Sequence, residues 1–272
     1  MSQILIGTSG YSFADWVGPF YPPGTRSGDF LRYYTDHFST VEVNSTYYGI
    51  PRPQVMERMA AKTPDGFRFV VKLNHAMTHE QSLDPGIYRQ FLDAVEPLKL
   101  AGRYDGLLAQ FPGGFRRTPE HRRFLVGLRE RLGEEPLFVE FRHDSWLTPE
   151  LEPSLREHRI GYCAVDEPVL PHLVPPVTML TTEDAYIRFH GRNAANWWGS
   201  SRGGGGDRYD YDYRPEELGE WVQKVTDLAE RARRIYLFFN NCHAGQAARS
   251  AKLMQEMLRQ HRLPVTSPLW SE

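Results

Sequence analysis

Eight times along the chain a short apolar run, rich in β-branched and aromatic residues, ends on a polar side chain. Ile4-Leu5-Ile6-Gly7-Thr8 begins the series. Thr40-Val41-Glu42-Val43-Asn44, Phe69-Val70-Val71-Lys72 and Leu107-Leu108-Ala109-Gln110 follow. Next come Leu137-Phe138-Val139-Glu140-Phe141-Arg142, then Gly161-Tyr162-Cys163-Ala164-Val165-Asp166. Tyr186-Ile187-Arg188-Phe189-His190 and Tyr236-Leu237-Phe238-Phe239-Asn240 close the series. Runs of this length and composition are strands, and strand side chains alternate between two faces. In the fifth run Leu137, Val139 and Phe141 therefore share one face, and Phe138, Glu140 and Arg142 the other.

Amphipathic segments separate these runs. Residues 28–37, 53–62, 87–98, 118–132, 215–233 and 244–261 read as helices, and Thr148-Pro149-Glu150 opens another. The clearest covers 118–132. Thr118 caps it, Pro119 fits its first turn and Gly133 ends it. Residues 167–182 are rich in Pro and read as loop. Strands alternating with helices imply parallel pairing with crossover connections. A chain of 272 residues with 40% hydrophobic content suits an α/β fold of one (β/α)₈ barrel, a single domain over 1–272. In such a barrel the polar strand ends meet at the carboxyl-terminal mouth.

Glu42, Lys72, Gln110, Glu140, Asp166, Arg188, His190 and Asn240 are thus expected to converge, with Asn44 on the face of Glu42 and Arg142 on that of Glu140. A ring of charges can be a structural ion-pair network. Buried ion pairs rarely stabilise more than apolar packing does, however, so a ring of this size points to a task.

Several motifs resemble the YecE-like family, also called domain of unknown function 72. They include Gly7-Thr8-Ser9-Gly10 with Asp15-Trp16, Phe20-Tyr21-Pro22, and Val41-Glu42-Val43-Asn44 with Tyr47-Tyr48. Thr78-His79, Val139-Glu140-Phe141-Arg142-His143 with Ser145-Trp146, Arg188-Phe189-His190-Gly191 and Phe239-Asn240-Asn241 extend the resemblance to the last helix. It implies a TIM-like barrel and carries no reaction to transfer.

Three chemistries fit these residues. The first is a metal site, for instance a metal-dependent phosphodiesterase, drawing on Glu42, His75, His79, Glu140, His143, Asp166, His190 and His243. No HxH or HxxEH spacing occurs, and Lys72, Arg142 and Arg188 offset the carboxylates, so no metal is expected. The second is an enzyme on a phosphate-bearing or other anionic substrate. Lys72, Arg142, Arg188 and Arg192 would hold the anion, Glu42, Glu140 or Asp166 would act as base, and His190 as acid–base partner. Asn44, Gln110 and Asn240 would add neutral contacts. The third is a non-catalytic nucleotide or nucleic-acid binder, with Tyr11, Trp146 and Trp197 among the stacking residues. Core packing is the ordinary fate of any single aromatic. No P-loop or dinucleotide fingerprint is present, and no cofactor is expected.

Composition sets the setting. A net charge of −2 gives no global pull toward nucleic acid or membrane. Cys163 and Cys242 are the only cysteines, which fits a reducing cytosol. The first strand opens at Ile4 and leaves no room for a signal peptide, and no apolar run nears the ~20 residues of a membrane span. The loop 193–213 carries Trp197-Trp198 and the run Gly203-Gly204-Gly205-Gly206. It reads as a lid or clamp. Limited digestion is expected to cut first in the glycine run, where ordering four glycines is entropically costly. A first cut elsewhere would contradict that reading.

Overall fold

The computed structural model describes residues 2–199 and 207–268, so the run Gly203–Gly206 lies outside the described residues. Among these, eight strands appear: β1 Gln3–Thr8, β2 Thr40–Val43, β3 Arg68–Lys72, β4 Tyr104–Gln110, β5 Leu137–Glu140, β6 Gly161–Asp166, β7 Asp184–Phe189 and β8 Arg234–Phe239. All neighbours pair in parallel, in the order β1-β8-β7-β6-β5-β4-β3-β2. The fold is the expected (β/α)₈ TIM-like barrel. Arg142, His190, Asn44 and Asn240 fall just past the last paired positions, so the strands end slightly earlier than the apolar runs suggest.

The seam between β1 and β2 closes differently. Ser9 bridges Glu42, and Gly10 N donates to Glu42 O at 2.8 Å. One turn lower, the Tyr34 hydroxyl fills the gap, accepting from Thr8 N at 2.8 Å and donating to Thr40 O at 3.1 Å. Gly7 permits this approach, since a Cβ there would lie 2.2 Å from Thr40 O.

The helices are α1 Phe30–Thr35, α2 Ser45–Tyr48, α3 Pro53–Ala61, α4 His75–Thr78, α5 Pro85–Leu100, α6 Pro119–Leu132, α7 Leu151–Glu157, α8 Pro215–Ala229 and α9 Gln246–Gln260. Thr118 caps α6 as expected, its side chain accepting from His121 N at 3.2 Å, and Gly133 ends it at φ 61°. The expected 28–37 helix starts as a 3₁₀ turn, Ser27–Asp29. The 244–261 helix starts late because Gly245 sits in the left-handed region at φ 73°. Residues 167–182 are loop, as their prolines imply.

Inside the barrel the side chains form layers. At the amino-terminal end Arg234 pairs with Asp105 and Asp184, each at 2.7 Å, and the Tyr236 hydroxyl donates to Asp105 at 2.7 Å. Above it lies an aromatic layer, with Phe138, Tyr186 and Phe238 ring centroids about 5 Å apart in sequence, at 4.7 and 5.2 Å. Gly161 makes room for it, because a Cβ there would sit 2.4 Å from the Phe138 ring. The charged residues of the strand ends stand on this apolar base. Among the described residues, no helix is long and apolar enough to cross a membrane.

Candidate active site

β5 and β7 supply the centre of the mouth. Glu140, the last residue of β5, has no exposed surface, and neither does Glu42 on β2. Arg188 of β7 bridges them, donating to Glu140 Oε2 at 2.6 Å and to Glu42 Oε1 at 2.7 Å. The Tyr186 hydroxyl donates to Glu42 Oε2 at 2.6 Å. Arg142 donates through Nε to the other oxygen of Glu140, and through Nη1 to Glu167 Oε2 at 3.1 Å. His190 Nε2 lies 3.3 Å from Glu140 Oε1 and 3.0 Å from Arg142 Nη2. The result is a buried ionic floor.

Burial alone would push the Glu140 carboxyl up, but Arg142 and Arg188 together hold it well below the usual carboxylate range. Burial, aided by the Arg142 charge, pushes His190 down to about 3. Glu167 behaves oppositely. Burial raises it to about 7 despite Arg142. Lys72 is lowered to about 7 by burial and by the nearby Arg188 charge.

Above the floor lies a pocket of about 560 Å³. Lys72, Arg142, Arg188 and Arg208 reach its wall, as do Asn44, Gln110, Asn240 and His79. Tyr47, Tyr48, Trp197, Trp198 and Tyr209 add an aromatic rim. No carboxylate lines it among the described residues. Asn44 Oδ1 and Arg208 Nε are buried atoms without a hydrogen-bond partner among the described residues, and both residues face the pocket. Trp197 is buried, its ring edge-on to Tyr209 at 6.5 Å, and Trp198 is 68% exposed, so the loop packs one indole and presents the other.

Four expected site residues lie elsewhere. Asp166 faces outward. Its carboxylate accepts from Trp221 Nε1 of α8 at 2.6 Å, from the Tyr213 hydroxyl at 2.6 Å and from Arg192 Nη2 at 2.7 Å. Arg192 is consequently held by Asp166 and Glu220, away from the other cations. Trp146 is 2% exposed and stacks on Phe141 at 4.2 Å, its Nε1 bonded to the Phe115 carbonyl. Its free edge meets an outer groove between α6 and α7. Tyr11 borders a separate small cavity with Leu31 and Met59. Trp146 thus serves the core, and Tyr11 packs half-buried against it. Glu42, Glu140 and His190 do converge and form the floor itself, with their polar atoms engaged by Arg142, Arg188, Tyr186 and Asn240.

Glu167 and Arg208 are additions to the expected site residues, and Tyr209 belongs to the aromatics that follow the expected lid's glycine run. Glu167 is the residue after a strand end, where the chain has no periodicity to fix its direction. Arg208-Tyr209 beside a glycine run was a readable signal, a cation and an aromatic at the foot of a loop. The metal set also separates. Among the described residues, the group able to hold an ion is His143, Asp144 and His172 on the rim, with Asp144 and His172 exposed. At the mouth each carboxylate already has a cation partner.

A family model described as protein of unknown function DUF72 matches residues 5–271. The UPF0759 protein YunF of Bacillus subtilis is 30% identical over 270 residues, covering 94% of this chain and 95% of the relative. The UPF0759 protein YecE of Escherichia coli K12 is 27% identical, covering 94% and 93%. The crystal structure of a DUF72 family protein from Thermotoga maritima superposes with a TM-score of 0.87 at 40% identity, covering 94% of this chain and 99% of that one. One from Enterococcus faecalis gives 0.84 at 27% identity, covering 94% and 95%.

Proposed function

The chain belongs to the DUF72 family, and from that footing we infer that its barrel mouth binds a small phosphate-bearing or otherwise anionic molecule and acts on it as an enzyme. One observation carries the reading. The pocket wall holds three arginines and a lysine and no carboxylate among the described residues. Arg142 and Arg188 are oriented by Glu140, Glu42 and Glu167. Arg208 has no carboxylate partner among the described residues and supplies surplus charge. Guanidinium forks match phosphate or carboxylate oxygens, and dry surroundings strengthen the contact. The rim of Tyr47, Tyr48, Trp198 and Tyr209 suits a sugar or base attached to the anion.

In this reading Glu42 and Glu140 are positioning residues. Lys72 and His79 both reach the pocket, the latter lowered to about 4 by burial and by the Lys72 charge. A cytosolic setting belongs to the same proposal, since Cys163 and Cys242 are both unpaired.

Sugar phosphates and nucleotides are expected to stabilise the protein more than their neutral counterparts. At a hundred times its dissociation constant a ligand adds ~2.7 kcal/mol. For a chain of this size that raises Tm on the order of 5 °C. Arg208→Ala should remove most of the shift while leaving the unliganded Tm near wild type. Mg²⁺, Mn²⁺ or Zn²⁺ alone should move Tm little. A large metal-only shift that Glu42→Gln abolishes would defeat the anion reading and favour metal-assisted hydrolysis.

A further inference from the structure

We propose that Lys72 is a covalent catalyst: its amine forms an imine with a phosphorylated aldehyde or ketone held in the mouth pocket, an inference that rests on the anion reading above. Lys72 ends β3 and reaches the pocket wall. Its Nζ donates to the neutral amide oxygen of Gln110 at 2.8 Å and stands 4.4 Å from the Tyr47 ring centroid. No carboxylate lies within ion-pair distance of it among the described residues. The remaining lysines differ. Lys62 and Lys224 bond main-chain carbonyls of Gly28 and Pro176. Lys99 pairs with Glu96 and Glu135, and Lys252 lies 5.0 Å from the Phe20 ring centroid.

A lysine placed only to hold an anion gains from staying charged. Burial, Arg188 and Arg142 disfavour the charge on Lys72 and outweigh the opposing pull of Glu140 and Glu42, which lowers it to about 7 and leaves part of it as free amine near neutral pH. The same Arg188, with Arg142 and Arg208, would fix a phosphate on the pocket wall that Lys72 shares. A carbonyl on the held molecule then meets an uncharged nucleophile.

The step balances without a redox partner. The Nζ lone pair bonds to the carbonyl carbon, the oxygen takes a proton, and nitrogen gives one up to form a carbinolamine. The C–O bond breaks, the hydroxyl leaves as water with a second proton, and a protonated imine remains.

The full-length chain is incubated near pH 7 with dihydroxyacetone phosphate, reduced with borohydride and mapped by peptide mass spectrometry. Borohydride adds hydride to the imine carbon and makes the bond permanent. We expect one adduct, on the peptide carrying Lys72, exceeding any other lysine on the order of tenfold or more, given the difference in free amine. Excess glycerol 3-phosphate, which has the phosphate and no carbonyl, should suppress it in wild-type protein. Lys72→Met should lose the adduct, whereas Arg208→Ala should lose most of the adduct together with the Tm shift from glycerol 3-phosphate. If both phosphates raise Tm and Lys72 labels no better than the other lysines, the imine is overturned and the anion pocket stands. If neither phosphate binds and nothing labels, both fall.

Discussion

Glu140→Ala is expected to cost roughly 3–5 kcal/mol of folding stability, the range for breaking a buried ion pair on one side. The carboxylate has no exposed surface, and both its oxygens are occupied, one by Arg142 and one by Arg188. Removing it leaves Arg142 without its main partner and Arg188 with Glu42 alone. Neither guanidinium can shed its proton to escape, since arginine stays charged in proteins. Urea unfolding at neutral pH measures the cost. A variant that unfolds with the wild type would mean that the floor is solvated.

Acid provides a second readout of the same floor. Glu140 titrates below its unfolded value, so its contribution is present above the ordinary carboxylate pKa and fades as pH falls toward the folded value. His190, lowered to about 3, works in the same direction: between its ordinary pKa and 3 the unfolded chain takes up a proton that the folded one refuses. Glu167, raised to about 7, opposes them. From pH 7 down to its unfolded pKa the folded chain holds a proton that the unfolded chain has released, which favours folding as pH falls. Acid loss should therefore gather below the ordinary Glu pKa, and Glu140→Gln should flatten it there.

The sequence was most informative where one residue type could serve only one place. The barrel followed from eight apolar runs with polar ends. The floor was legible because Glu140, Arg142, Arg188 and His190 sit at alternate positions of two runs, and their partners are now known. Parity failed at β6. Strands buried on both faces carry no alternation to say which face is inside. Asp166 follows Val165, and the contact of Cys163 Sγ toward Glu140 at 3.9 Å, with Gly161 against the Phe138 ring, shows that the odd-numbered positions of this strand turn inward. Polar character at a strand end thus predicted position along the barrel axis, not direction around it. The direction of Glu167 and the seat of Arg208 in the pocket were not legible for another reason. Their placement depends on loops whose course is set by tertiary hydrogen bonds such as Gly191 N to the Tyr213 hydroxyl at 2.9 Å.

Asp166→Ala is expected to cost as much as Glu140→Ala, roughly 3–5 kcal/mol, yet through a different part of the molecule. Asp166 holds Arg192 and Tyr213, residues at the two ends of the 193–213 loop, and ties both to Trp221 of α8. Its loss strands Trp221 Nε1 and the Tyr213 hydroxyl, both buried donors. The segment it anchors presents Arg208 and Tyr209 to the pocket. Asp166→Ala should therefore weaken anion binding although Asp166 never reaches the pocket. Asp166→Asn retains one acceptor oxygen and should recover part of both stability and affinity. The comparison separates a positioning role from a packing role, because packing alone would lower the urea midpoint and leave the affinity of the folded protein for a sugar phosphate unchanged. Calorimetric titration well below the unfolding transition makes that measurement. Unchanged affinity in Asp166→Ala would show that the loop keeps Arg208 in place without its anchor.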